Sequence, residues 1–367
     1  MIGRFDTPEG RWAGIGPYYA MFPMVFANEV ISKYSQKGDI IVDPFAGRAT
    51  SIYSAALLER IGLGIEINPV GWVYGQAKLR PARKSDVESA FERINKKVSN
   101  YLAEADNMPM FFKRCFSREV RKFLLAARAE LNWKRSASDR TAMALLLVYL
   151  HGKSEASLSN QLRQTKSMSP NYAVQWWKDR KMSPPVINPL RFMKKRVEWR
   201  YAKGQPEKFI SNVFLGDCLK ILPRMDKIIN RLGKKKIKLL FTSPPYYGLT
   251  DYHYDQWLRL WLLGYSTSPA NRLGVHRNKF TSQQHYRTLL EKAFLNASKL
   301  MCNDAIVYVR TDSREFTLNT SIDVLQRIFP DKQIRTIARP FTKPTQTHLF
   351  GNKYKEGGEI DIILEPK

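Results

Sequence analysis

Apolar residues recur along the chain in two rhythms. Short runs rich in Ile, Val, Leu and Phe, each closed by a polar residue or a Gly/Pro turn, predict seven strands. They fall at residues 40–42, 61–65, 212–215, 237–241, 305–310, 334–338 and 359–364. Between the first two, residues 51–60 are rich in Ala and Leu, unbroken by Gly or Pro, and read as a helix. Ahead of the first strand, Met21, Phe22, Val25, Phe26 and Val30 fall at helical spacing and predict a helix with an apolar stripe. From about residue 80 to 205 the strand signal stops. Helical periodicity replaces it at 87–104, 116–133 and 141–151, the last apolar enough to be the core of its region. Strands alternating with helices predict an α/β fold. Here its two halves, residues 1–80 and 206–367, flank a large helical insertion at 81–205.

With 367 residues and a hydrophobic fraction of 44%, the chain has ample apolar material for a large core. The charge changes the picture. Sixty Lys and Arg against 33 Asp and Glu leave a net +27, which favours a polyanionic partner. No uninterrupted apolar stretch is long enough to span a bilayer, and residues 1–11 lack the apolar segment of a signal peptide. A nucleic acid is therefore expected rather than a membrane. Cys115, Cys218 and Cys302 are far apart and the five histidines form no ligand-spaced cluster. That pattern predicts a reducing compartment, no disulfide framework and no metal site.

Candidate chemistry gathers at the carboxyl ends of the predicted strands. The first runs into Asp43-Pro44-Phe45-Ala46-Gly47-Arg48-Ala49-Thr50, a glycine-containing loop opening the helix. Glycine lets backbone approach a ligand, and a helix N-terminus adds partial positive charge. The second strand closes on Glu66, an acidic residue placed to take ribose hydroxyls. The third is followed by Gly216-Asp217-Cys218 and the fourth by Thr242-Ser243-Pro244-Pro245-Tyr246. Two consecutive prolines donate no N–H and hold their neighbours extended. The loop is stiff and presents the Ser243 hydroxyl, the Pro244 carbonyl and the Tyr246 ring. A hydroxyl and a carbonyl side by side can accept from an exocyclic amine while the ring stacks on a planar base. In a doubly wound sheet all these ends lie along one edge, where ligands bind.

Thr-Ser-Pro-Pro-Tyr resembles the catalytic motif of the S-adenosylmethionine-dependent amino-methyltransferases of DNA, which carry Asp, Asn or Ser before Pro-Pro-Tyr. Asp43–Gly47 is similar to that family's Asp-Pro-Phe-x-Gly-x-Gly, with Ala49 in place of the last glycine. The resemblance covers both halves of the sheet. It implies a Rossmann-like class I methyltransferase sheet of seven strands, the last antiparallel. It further implies a cofactor site of Phe22, Pro23, Asp43, Pro44, Phe45, Ala46, Gly47, Glu66, Asp217, Cys218, Thr242 and Ser243, with Asp217 at the adenine amino group. Ser243, Pro244, Pro245 and Tyr246 would be catalytic, acting on a base flipped out of the duplex.

Serine before Pro-Pro-Tyr leans to cytosine N4; adenine N6 is the alternative for the same residues. A DNA-binding protein with a vestigial methyltransferase fold is the alternative of another class. The implied partners are double-stranded DNA and a cognate restriction endonuclease, and the implied setting is the cytoplasm, at the nucleoid, for a prokaryotic or phage-encoded protein. Arg163, Lys166, Arg191, Lys194, Lys195 and Arg196 in the insertion, with Lys343 in a later polar loop, are the candidate nucleic-acid contacts. A basic run is usually a solvated face and tryptophans such as Trp176 and Trp177 are usually core, yet interleaved with these and with Gln161 and Gln164 the basic residues have the make-up of a reading surface.

Overall fold

The computed structural model describes residues 5–17, 22–165, 167–233, 236–248, 251–269, 282–340 and 358–367. The chain divides into two compact units. One, formed by Tyr19–Asn68, Phe209–Tyr252 and Leu273–Lys367, carries the sheet. The other, formed by Met1–Tyr18, Pro69–Lys208 and His253–Arg272, is helical.

The strands are β1 (Ile40–Asp43), β2 (Ile61–Glu66), β3 (Asn212–Leu215), β4 (Ile237–Thr242), β5 (Met301–Asp312), β6 (Lys332–Pro340) and β7 (Gly358–Pro366). They form one sheet in the order β3-β2-β1-β4-β5-β7-β6. Pairing is parallel from β3 to β5, while β7 is antiparallel to both β5 and β6. This is a Rossmann-like, seven-stranded sheet with β7 reversed, the sheet that the resemblance implies.

Both faces are covered, which is why the strands read as apolar runs rather than as strict alternation. Ile40 and Val42 of β1 face one core with Leu240, Val307, Val309, Ile362 and Leu364. Ile41, Leu239, Phe241, Tyr308 and Ile363 face the other, against Phe22, Ala27, Val30 and Ile31. The helix Met24–Tyr34 lies on this second face. It buries Ala27, Val30 and Ile31 and leaves Val25 69% exposed, so Val25 is not part of the predicted stripe.

The helix Thr50–Leu57 sits unusually close to β2 because of Gly62 and Gly64. A Cβ on Gly62 would lie 2.9 Å from the Ile52 carbonyl oxygen, and one on Gly64 would lie 2.7 Å from Ile52 Cγ1 and 2.9 Å from Ala46 Cβ. The two glycines thus seat both the helix and the loop that leads into it.

The helical unit has the buried helix Ala137–Tyr149 at its centre. It extends beyond the predicted limits of 81 and 205, and side-chain anchoring explains why. Trp12, fully buried, meets Tyr201 edge-on at 5.2 Å and so holds the N-terminal segment in this unit. Arg259, also fully buried, donates from Nε to the Leu147 carbonyl at 2.9 Å and from a guanidinium nitrogen to Gln256 Oε1 at 2.7 Å. It holds residues 253–269 there too. Neither anchor follows from hydrophobic periodicity. Among the described residues no helix is long and apolar enough to cross a membrane.

Gly62→Ala is expected to destabilise the protein by about 1–3 kcal/mol, because the added methyl meets helix backbone that cannot shift cheaply. The loss should appear as a lower urea midpoint at unchanged slope; an unchanged midpoint would refute this close packing.

Candidate active site

The carboxyl ends of β1 to β4 converge on one edge of the sheet, and Asp43 is the group that ties them together. Its side chain is 2% exposed. It accepts hydrogen bonds from the Phe45 N–H at 3.0 Å, from Thr242 Oγ1 at 2.6 Å and from the Ser51 hydroxyl. One carboxylate therefore shapes the loop after β1, pins the helix that follows it and fastens the end of β4. Thr242 is itself fully buried. Both residues organise the site from beneath.

The loop after β1 is closed on its other side by β2. Ala46 N–H donates to the Ile65 carbonyl at 2.9 Å, and the Gly47 N–H donates to the Glu66 carboxylate. Gly47 has φ 53°, and Ala49, at the N-cap of Thr50–Leu57, has φ 62° and ψ 41°. The position that the motif would fill with glycine is thus left-handed, and alanine holds it at a cost of roughly 1–2 kcal/mol. Strain of this kind persists where surrounding structure over-determines the backbone, which is common at ligand sites. Phe45 and Gly47 are half-buried, while Pro44 and Ala46 are buried.

Glu66, 7% exposed, accepts from the Asn68 N–H at 2.7 Å and from the Gly47 and Ile67 N–H groups. Burial nevertheless pushes its carboxyl up to about 8, with the Asp43 charge adding to the shift. Burial likewise pushes Asp43 up to about 6, against its three hydrogen bonds. Two desolvated carboxylates at neighbouring strand ends are costly as anions and suited to take hydroxyl or amine donors.

The loop after β3 joins the same cluster, since Gly216 N–H donates to the Glu66 carbonyl at 2.9 Å. Asp217 caps the short helix Cys218–Ile221 by accepting from the Leu219 N–H at 2.9 Å, and is half-buried. The Cys218 side chain belongs to the core, packed with Leu63 and Ile65, and burial pushes its thiol up to about 12. Phe22 stacks on Phe241 at 4.6 Å with an 11° interplanar angle, and the exposed Pro23 opens the helix that follows. The Phe22 ring is thus part of the sheet's packing.

In the loop after β4, Ser243 and Pro245 are half-buried, Pro244 is buried and Tyr246 is 8% exposed. Ser243 Oγ lies 3.4 Å from the Tyr246 hydroxyl, and that hydroxyl donates to Glu359 Oε1 at 3.1 Å. Glu359 pairs with Arg310 at 3.1 Å; Arg310 also binds Asp361 in bidentate fashion at 2.6 and 3.0 Å, and Arg339 reaches Asp361 at 2.9 Å. The Arg310 guanidinium lies 3.5 Å over the Phe26 ring. Sequence reading passed over Glu359, Arg310 and Asp361. The signal was there: Glu359 and Asp361 stand two residues apart in the otherwise apolar run 359–364, so they share a face.

The candidate nucleic-acid contacts separate into groups. Arg163 is exposed on a loop whose backbone is fixed from below: the buried His151 bonds the Arg163 carbonyl at 2.7 Å, and Gln256 donates to the Thr165 carbonyl at 3.1 Å. Arg191 and Lys195 are exposed on the helix Pro189–Tyr201. Lys194 is paired with Glu92 at 2.7 Å, and Arg196 lies over the Tyr149 and Phe192 rings at 4.9 and 4.7 Å. Trp177 is fully buried, while Arg180 covers Trp176 at 4.5 Å. Lys166 and Lys343 lie outside the described residues.

Residues 6–70 match the family model described as DNA methylase, of the N6/N4 type. A crystal structure of TrmN from Thermus thermophilus resembles the chain at a TM-score of 0.34 and 9% identity, covering 98% of this chain and 52% of that one. The chain thus spans about half the length of TrmN. The rRNA methyltransferase aviRa from Streptomyces viridochromogenes resembles it at a TM-score of 0.35 and 11% identity, covering 97% and 90%. No curated protein matches the chain.

The two carboxylates make stability pH-dependent in a definite direction. Their folded values lie above the ordinary 3.8 and 4.5, so the folded state holds these protons more tightly than the unfolded chain. The corresponding stability is fully present below those ordinary values and is lost as pH rises through about 6 for Asp43 and about 8 for Glu66. Glu66→Gln should therefore raise the urea midpoint of the ligand-free protein at pH 8 and flatten its decline from pH 5. Parallel wild-type and variant curves would contradict a raised Glu66.

Proposed function

We propose that the protein is an S-adenosylmethionine-dependent DNA methyltransferase that modifies the exocyclic amine of a base, cytosine N4 in preference to adenine N6. The observation that carries this reading is the 2.6 Å hydrogen bond from Thr242 to Asp43, which joins the Ser-Pro-Pro-Tyr loop to the Asp-Pro-Phe loop in one rigid unit.

The residues fit the cofactor by their chemistry. Glu66, desolvated and still disfavoured as an anion despite its backbone donors, gains from ribose hydroxyls. The Gly47 turn admits close backbone approach. Asp217, fixed by its own cap, can accept from the adenine amine. When bound, the cofactor supplies an electrophilic sulfonium methyl. The chain's own contribution is positioning and electrostatics. An exocyclic amine is a poor nucleophile because its lone pair is delocalised into the base. Accepting its two N–H groups on the Ser243 hydroxyl and the Pro244 carbonyl favours a pyramidal nitrogen with its lone pair projecting away from the loop. The Tyr246 ring would border the flipped base.

Serine at position 243 supports cytosine N4, and the N6/N4 family match at residues 6–70 supports DNA as the substrate. The basic helical unit offers Arg163, Arg191 and Lys195 to phosphates and base edges. Work beside a cognate endonuclease on nucleoid DNA in the cytoplasm completes the proposal.

Single-turnover transfer of a labelled methyl group to duplex DNA, followed by digestion to nucleosides, tests it. N4-methylcytosine is the expected product, and Ser243→Ala should slow transfer about tenfold or more. N6-methyladenine would reassign the base, and the absence of label in any DNA would overturn the proposal.

A further inference from the structure

Serine is an ambiguous partner for an amine, because its hydroxyl carries one donor and two acceptor positions. To act only as an acceptor, Ser243 must spend its proton elsewhere. The structure provides that outlet. Ser243 Oγ donates to the Tyr246 hydroxyl at 3.4 Å, and Tyr246 donates its own proton to Glu359 Oε1 at 3.1 Å. Both donations run in one direction, from Ser243 through Tyr246 to Glu359. They end on a carboxylate paired with Arg310 at 3.1 Å. The topology explains how a carboxylate from the far end of the chain comes to be there: β7 is antiparallel, so its first residues lie beside the last residues of β5, with Glu359 opposite Asp312 and Asp361 opposite Arg310.

We propose that Glu359 acts through the Tyr246 hydroxyl to orient Ser243 as a hydrogen-bond acceptor for the target amine. Glu359 and the Tyr246 hydroxyl are then positioning residues, distinct from the Tyr246 ring. The proposal rests on the methyltransferase reading above and adds two groups to it. Among the described residues, the charged groups around Glu359 are Arg310 from β5, Asp361 from its own strand and Arg339 from β6, with Asp312 across the ladder. Arg310 binds Glu359 and Asp361 together, so it steadies the end of the relay against both neighbours. Chains of hydrogen bonds in a low-dielectric setting reinforce one another, which lets a charge two bonds away bias a neutral hydroxyl.

The test uses Tyr246→Phe and Glu359→Gln, which keep ring and shape, in the wild-type chain and in a Ser243→Asp background. In the wild-type background each change should slow single-turnover transfer about tenfold, with calorimetric affinity for S-adenosylmethionine unchanged. In the Ser243→Asp background, where an acceptor-only group stands at the amine, Glu359→Gln should have little effect. Equal losses in both backgrounds would make Glu359 merely structural and overturn the proposal. A second readout needs no turnover: carbon NMR titration of the Glu359 carboxyl in the ligand-free protein. Tyr246→Phe removes a hydrogen bond to the ionised form and should move that titration to higher pH; an unmoved titration overturns the relay. Failure of the wild type to methylate any DNA would sink the functional reading instead, and the NMR result would still decide the contact.

Discussion

The site depends on one buried carboxylate. Asp43 stands where β1 ends and satisfies a backbone N–H, a helix hydroxyl and the threonine that closes β4. Hydrogen bonds to a charged acceptor are worth about 1.5–3 kcal/mol each, and leaving such a group unpaired in the interior costs more. The arrangement is therefore all or nothing. With its three donors in place, the loop that would hold the cofactor and the loop that would hold the base amine have one relative position. If one donor is removed, the carboxylate is left in an apolar setting that already disfavours its charge.

The reversal of β7 has a comparable consequence on the other side of the site. A parallel strand there would deliver its carboxyl end to this edge; the antiparallel one delivers Glu359 and Asp361 opposite Arg310 and Asp312. Burial favours the neutral form of Asp361, but the Arg310 hydrogen bonds and charge outweigh it, and the carboxyl lies below its ordinary range. Breaking such a pair by removing one partner is far more costly than exchanging both for apolar residues. The cluster is better understood as fixing Tyr246 than as adding stability. Surface pairs such as Lys37–Glu59 contribute little by comparison.

Much of this was legible in the sequence, for physical reasons that differ by region. Strands buried on both faces leave apolar runs, so all seven could be placed, and a loop that must stop a strand and expose a carbonyl leaves Pro-Pro. The acidic strand ends were legible as residues but not as roles. Position along the chain cannot tell whether a carboxylate such as Asp43 points to a ligand or inward to Ser51 and Thr242. Cys218 sat in the right motif, yet its side chain faces the core. Contacts between distant segments left no periodic trace: Trp12 against Tyr201, or Arg259 against the Leu147 carbonyl, set the limits of the helical unit through single buried side chains. In the basic helix, composition could not separate the exposed Arg191 and Lys195 from Lys194, committed to Glu92, or Arg196, laid over two rings.

The central claim is that Asp43 and Thr242 act as one coupled element holding the two loops together. A double-mutant cycle over Asp43→Asn and Thr242→Val, read as S-adenosylmethionine affinity by calorimetry, addresses it directly. The account predicts that Thr242→Val weakens binding although Thr242 has no exposed surface, and that the double variant is hardly worse than Asp43→Asn alone. Wild-type affinity in Thr242→Val, or losses that simply add, would contradict it.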